Sequence, residues 1–134
     1  MKGCFRMNRK LIFLTIIFIL SWNFAAHAGE FIDATIDKDL KAIWVSMINK
    51  LSAGDIDGAL KHITYSSRWK YKKEFTSVKD KLPEISVKMR NIEPVYIKDD
   101  EAKYRSRIGT SNDEYTNYIW FRKDIFGIWK IEKF

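Results

Sequence analysis

From Leu40 to Leu51 the apolar residues recur at helical spacing. Leu40, Ile43, Trp44, Met47, Ile48 and Leu51 fall on one stripe, with polar residues on the other faces. Asp37 is placed to cap the start, and Gly54 stands where a helix end takes a positive φ. Asp55 then opens a short second helix with Ile56, Ala59, Leu60 and Ile63 on one face. Ser66 or Ser67 can cap a third, whose stripe is Tyr71, Phe75, Val78 and Leu82. Pro83 marks its end, because the residue before a proline disfavours helical backbone. Beyond Pro83 the period changes to two. Ile85, Val87 and Met89 alternate with Ser86, Lys88 and Arg90, as in a strand with one wet face. Val95 and Ile97 continue after a break at Asn91–Pro94. A turn at Asp99–Glu101 leads into Ala102–Ile108, where Tyr104, Ser106 and Ile108 oppose Lys103, Arg105 and Arg107. Tyr115–Lys123 is aromatic and β-branched, and a turn at Asp124–Gly127 returns the chain into Ile128–Phe134. The pattern predicts an α+β domain, three N-terminal helices packed on an antiparallel sheet.

The first 28 residues read differently. Lys2, Arg6, Arg9 and Lys10 precede a nearly continuous apolar run, Leu11–Leu20, and Ala26-His27-Ala28 supplies small residues where a signal peptidase cuts. The run is shorter than the roughly 20 residues that span a bilayer, so cleavage after Ala28 is expected, with no stable membrane anchor left. The expected compartment is across the inner membrane, in the periplasm, with Gly29–Phe134 as a single domain. That changes the meaning of the net charge of +7 carried by 134 residues. Four of the basic residues belong to the signal peptide, and so do Cys4, the only cysteine, and one of the two histidines. The remainder must stand on its apolar core without a disulfide.

Little chemistry can be built from what remains. A cysteine nucleophile is excluded, a Ser–His–Asp arrangement would rest on His62 alone, and a zinc site lacks ligands. Asp55-Ile-Asp57-Gly58 lacks the further oxygen ligands of a calcium loop. No metal or cofactor and no catalytic residue is assigned. Carboxylate acid–base work would pair an acid with Tyr65, Tyr96, Tyr104 or Tyr118, but the acids fall mostly at helix starts and turns, where dipoles and water account for them. The charge that remains is uneven. Lys61–Arg90 holds nine basic and three acidic residues, and Arg68-Trp69-Lys70-Tyr71-Lys72-Lys73 interleaves aromatics with cations. Arg68, Lys70, Lys72 and Lys73 make a candidate basic surface for an acidic protein or an anionic headgroup. Export argues against nucleic acid.

The helix followed by Gly54-Asp55-Ile56-Asp57-Gly58-Ala59-Leu60, a further helix, and a meander ending Gly127-Ile128-Trp129-Lys130-Ile131 resembles the nuclear transport factor 2-like (cystatin-like cone) superfamily, in particular small bacterial secreted members. The resemblance implies a sheet curved around the helices into a cone, often with an apolar pocket between them. It also implies pairing through open sheet faces in some members, so a homodimer is an expectation too. Relatives of that kind isomerise, dehydrate, open epoxides, or bind small ligands or proteins. Trp44, Tyr65, Tyr104, Tyr118 and Trp120 are the candidate pocket-lining residues. The expected function is non-catalytic binding of a small apolar ligand or a protein. The alternatives are an isomerase- or dehydratase-like acid–base enzyme, and an inhibitor- or immunity-type protein working through the basic helix.

Overall fold

The computed structural model describes residues 32–109 and 113–134. The expected signal peptide and its cleavage point lie outside the described residues. Helix α1 spans Ala34–Ser52. Its cap is Asp33, whose carboxylate accepts from the Thr35 and Ile36 amides at 2.8 and 3.1 Å. Asp37, expected as the cap, instead lies in the first turn, where an acid suits the helix dipole and its carboxylate is free for other work. The buried stripe is Leu40, Trp44, Met47, Ile48 and Leu51. At the other end Gly54 has φ +75° and the Asp55 amide reaches back to the Lys50 carbonyl at 2.9 Å. A side chain other than glycine would strain that turn.

Helix α2 is one short turn and a half, Ile56–Leu60, capped by Asp55, which accepts from the Gly58 amide at 2.9 Å. A Cβ at Gly58 would run into the same carboxylate. The Gly-Asp-x-x-Gly pattern is thus a joint between helices, with Gly54 required by its positive φ and Gly58 by the room the capping Asp55 carboxylate needs. Helix α3 spans Tyr65–Ser77 and buries Tyr71 and Phe75.

The segment after α3 departs from the expected strand. A 3-10 turn at Lys79–Lys81 leads into a fourth helix, α4, Leu82–Lys88. Pro83 does not end a helix here. It stands in the first turn of one, where its missing amide costs nothing and its φ is already helical. Leu82 and Ser86 face inward and Val87 is 68% exposed, so the true period is helical. The alternation was an accident of a serine buried on the apolar face.

The four strands are β1 (Glu93–Ile97), β2 (Glu101–Ile108), β3 (Tyr115–Lys123) and β4 (Trp129–Lys133), all antiparallel and in sequence order. Four helices precede this sheet rather than three. Ala102, Tyr104, Ser106, Ile119, Phe121 and Ile131 face the helices, while Lys103, Arg105, Tyr118, Trp120 and Arg122 face away. Register shifts between Pro94 and Tyr96, and again between Trp120 and Phe121. Along the outer side of β4, Ile63 forms a parallel bridge with Ile131, through Thr64 N–H to Ile131 O at 2.9 Å and Ile131 N–H to His62 O at 2.8 Å. Trp44, Tyr104 and Phe121 are fully buried at the centre of a single core cluster. Among the described residues no helix is long and apolar enough to cross a membrane.

Candidate functional site

The five candidate pocket residues do not come together at one place: two lie in the core, two on the outer sheet face and one on α3. Trp44 is fully buried on α1, and its indole N–H donates to the Met89 carbonyl at 2.8 Å, tying α1 to the end of α4. Tyr104 is also fully buried, on the inner sheet face. Tyr118 and Trp120 stand side by side on the opposite face, with ring centroids 5.9 Å apart. There the Lys103 ammonium lies 4.1 Å from the Tyr118 ring, and the Lys133 ammonium 4.3 Å from the Trp120 ring. Those contacts are cation–π pairs on a wet face. Tyr65 is 87% exposed at the start of α3.

Tyr104 does meet a carboxylate. Its hydroxyl donates to Asp37 Oδ1 at 2.8 Å, and Asp37 Oδ2 is paired with Lys41 at 2.8 Å. Burial, then the bond to Asp37 and its charge, push the phenol pKa well up. A phenol so held keeps its proton and locks the first turn of α1 to β2. Neither residue lines any of the hollows described below.

His62 meets a hydroxyl. Its Nε2 lies 3.1 Å from Ser46 Oγ, and no carboxylate bonds to the ring among the described residues, so the third member of a triad is missing. Burial holds the imidazole below its ordinary value of 6.5, and Lys130 and Lys50 add repulsion. The folded state therefore binds fewer protons than the unfolded one below pH 6.5. Stability present above that pH is lost as pH falls through the folded-state value. Urea melts of the wild type are expected to weaken over that window, and His62→Gln to flatten this part of the profile. An unchanged slope in the variant would remove His62 as the cause.

The structure instead opens an apolar hollow of about 270 Å³ on the helical side. Ile48 and Leu51 of α1, Phe75 of α3, Leu82 and Ser86 of α4, and Phe134 are among its walls. Phe134 is held there by a ring stack on Tyr71, centroids 4.6 Å apart, and by two hydrogen bonds. The Tyr71 hydroxyl accepts from Phe134 N–H at 2.8 Å and donates to Phe134 O at 3.1 Å. Ser86 is 2% exposed and its hydroxyl has no hydrogen-bond partner. An unmade bond of this kind costs about 1–3 kcal/mol, so the hydroxyl favours an added partner. Of these walls Ile48 and Leu51 carried a sequence signal as part of the first helical stripe, and Phe75 and Leu82 as part of the third. Ser86 was legible only as a polar residue on a strand's wet face.

The basic residues stay on one exposed helix, as the spacing predicted, but two are spoken for. Lys70 pairs with Glu74 at 3.8 Å and Lys72 with Asp57 at 3.2 Å. Arg68 donates its Nε–H to the Ile63 carbonyl at 3.1 Å, and the Lys73 ammonium lies 5.9 Å from the Trp69 ring. Among the described residues no three His, Cys, Asp or Glu side chains cluster as a metal site requires.

No protein-family model matches the chain, and no curated protein matches its sequence.

Proposed function

We propose that the protein is a non-catalytic binding domain that holds a small apolar ligand in the hollow between α1, α3 and α4. One observation carries this reading: the hollow is walled mainly by apolar residues such as Ile48, Leu51, Phe75, Leu82, Met89 and Phe134, with the exposed Glu74 and Ser77 at its edge, and its one buried polar side chain, Ser86, has an unpartnered hydroxyl. Pockets that hold small molecules have this make-up, mostly apolar with a few polar anchors. The size limits the ligand. A dry cavity of about 150 Å³ takes up benzene, and pockets for drug-sized ligands start near 300 Å³. A volume of about 270 Å³ suits one or two fused rings or a short alkyl chain, with one group able to hydrogen-bond Ser86. Membership of the nuclear transport factor 2-like superfamily, a cone-shaped sheet, export by a cleaved signal peptide and residence in the periplasm belong to the same proposal. They are supported by the Gly54–Leu60 joint, the closing strand, and the order of basic, apolar and small residues in the first 28 positions. The pocket itself is displaced from where the resemblance would put it, from the helix–sheet interior to the helical side.

Titration with indole, followed by amide NMR shifts, tests the proposal. Shifts are expected at Ile48, Phe75, Ser86 and Phe134, with a dissociation constant below about 1 mM, equivalent to roughly 4 kcal/mol. Ser86→Ala is expected to weaken indole by up to about tenfold, in keeping with one hydrogen bond, and to leave toluene unaffected. Ser86→Leu fills the space and should abolish both. Indole shifts that survive Ser86→Leu would sink the proposal.

A further inference from the structure

The outward face of α3 is unlike the rest of the helix. Tyr71 and Phe75 already supply its buried contacts, yet Trp69 is 77% and Tyr65 87% exposed, one turn apart on the same side. Packing does not account for a tryptophan left in water. Two concave surfaces flank the Trp69 ring. One, of about 390 Å³, is bounded by Trp69, Lys72, Lys73, Thr76 and Ser77. The other, of about 380 Å³, runs from Trp69 to Lys61, Arg68 and Lys72, reaching Asp57 and Leu60 on α2. Cations thus stand on both sides of one exposed aromatic ring.

Counter-charges on the face are few. Asp57 neutralises Lys72, and Glu74, paired with Lys70, lies outside both concavities. Lys61, Arg68 and Lys73 make no ion pair among the described residues. The Arg68 guanidinium is set in place by its bond to the Ile63 carbonyl, so part of its ordering entropy is lost before any partner arrives. Tryptophan and arginine at the centre of a face are also the residue types that dominate binding energy at protein interfaces.

We infer that this face docks an acidic, extended segment of a partner protein, which lies across Trp69 with carboxylates in both flanking concavities. Charge complementarity selects an anion, and the concave shape selects a chain with projecting side groups. A flat lipid surface would touch the Tyr65–Trp69 ridge and leave the concavities unfilled. Single-stranded nucleic acid would need stacking room for successive bases, and only two rings are exposed here. The inference does not rest on the apolar hollow: of the residues bounding the two concavities only Ser77 also borders that space, and none of Lys61, Arg68, Trp69, Lys72 or Lys73 does.

Fluorescence anisotropy on the full chain, with a labelled oligo-glutamate peptide as the probe, tests this. Binding is expected to weaken at least about tenfold between low and high salt, as screened charge pairs require. Trp69→Ala and Lys73→Glu should each weaken binding by about fivefold or more, consistent with hot-spot loss. Lys98→Glu makes the same charge change on the β1–β2 turn and should have little effect. Trp69 and Lys73 are exposed, so both variants are expected to keep the wild-type melting curve. The inference is overturned if the peptide does not bind. Equal losses from Lys73→Glu and Lys98→Glu would overturn it too, as would phosphatidylglycerol vesicles or oligo-thymidine depending on Trp69 more strongly than the peptide does.

Discussion

Replacing Trp44 by alanine is expected to lower the unfolding free energy by about 3–5 kcal/mol, the usual cost of emptying a large aromatic site in a core. The residue is fully buried, and its ring meets Phe134 edge-on at 5.2 Å. Its indole N–H also satisfies the Met89 carbonyl at the end of α4. Domains of this size have about 5–15 kcal/mol of stability in all, so the variant should be partly unfolded at ordinary temperatures. A fall in Tm of roughly 15–30 °C corresponds to that loss. Trp44→Phe separates the two roles. It keeps most of the apolar contact and orphans the carbonyl, for which about 1–2 kcal/mol is expected. Urea and thermal melts read both variants, and a loss below about 1 kcal/mol for the alanine variant would show that the core is not built around this ring.

Phe134→Ala carries the second large effect, about 2–4 kcal/mol, reduced from the full core value because the ring is only half-buried. The lost contacts are a stack on Tyr71 at 4.6 Å with planes 6° apart, a wider one on Phe75 at 6.2 Å, and the edge of Trp44. Aromatic pairs add to area burial by roughly 0.5–1.5 kcal/mol. Tyr71→Phe keeps the stack and removes both hydrogen bonds to the Phe134 backbone, so it should cost less than Phe134→Ala. Because Trp44 and Phe134 share a contact, the double variant is expected to lose less than the sum of the singles, by at least about 0.5 kcal/mol. Strict additivity would mean that the four rings do not act as one cluster.

How far such features can be read from residue order depends on which contacts make them. Helix α1 and strand β2 were legible because each buries one face, and period 3.6 or 2 shows directly in the letters, while β3 was legible from its aromatic and β-branched content. The α2 joint was legible too, since Gly54 answers a local backbone demand, Asp55 caps the helix and Gly58 leaves room for that cap. Helix α4 was not. Ser86 sits where an apolar residue would complete the helical stripe, and Val87 sits exposed, so hydropathy showed alternation and hid the turn. Pro83 compounded this, because a proline between elements reads as an end or a beginning with equal ease. The apolar hollow was beyond reach for a different reason. Ile48, Phe75, Ser86 and Phe134 come together only through tertiary packing, and no periodicity within one element reports a space between three. The basic face of α3 was visible as a cluster, whereas the pairing of Lys70 with Glu74 and Lys72 with Asp57 was not. That pairing moves the free cations to Lys61, Arg68 and Lys73.

The two borders of the sheet bear on how this protein behaves at high concentration. On one side β4 is already occupied by the Ile63 bridge, which takes up the Ile131 amide and carbonyl. On the other, β1 carries Pro94, which has no amide to offer, and a register shift that bends the strand just after it. Charged Glu93 opens that short strand and Lys98 follows it. These are the devices by which natural sheets refuse an additional strand. Neither border presents the long, flat row of free backbone groups that seeds edge-to-edge aggregation. The sheet is therefore expected to resist edge-to-edge pairing, and a partner that adds its own strand to it would find no template.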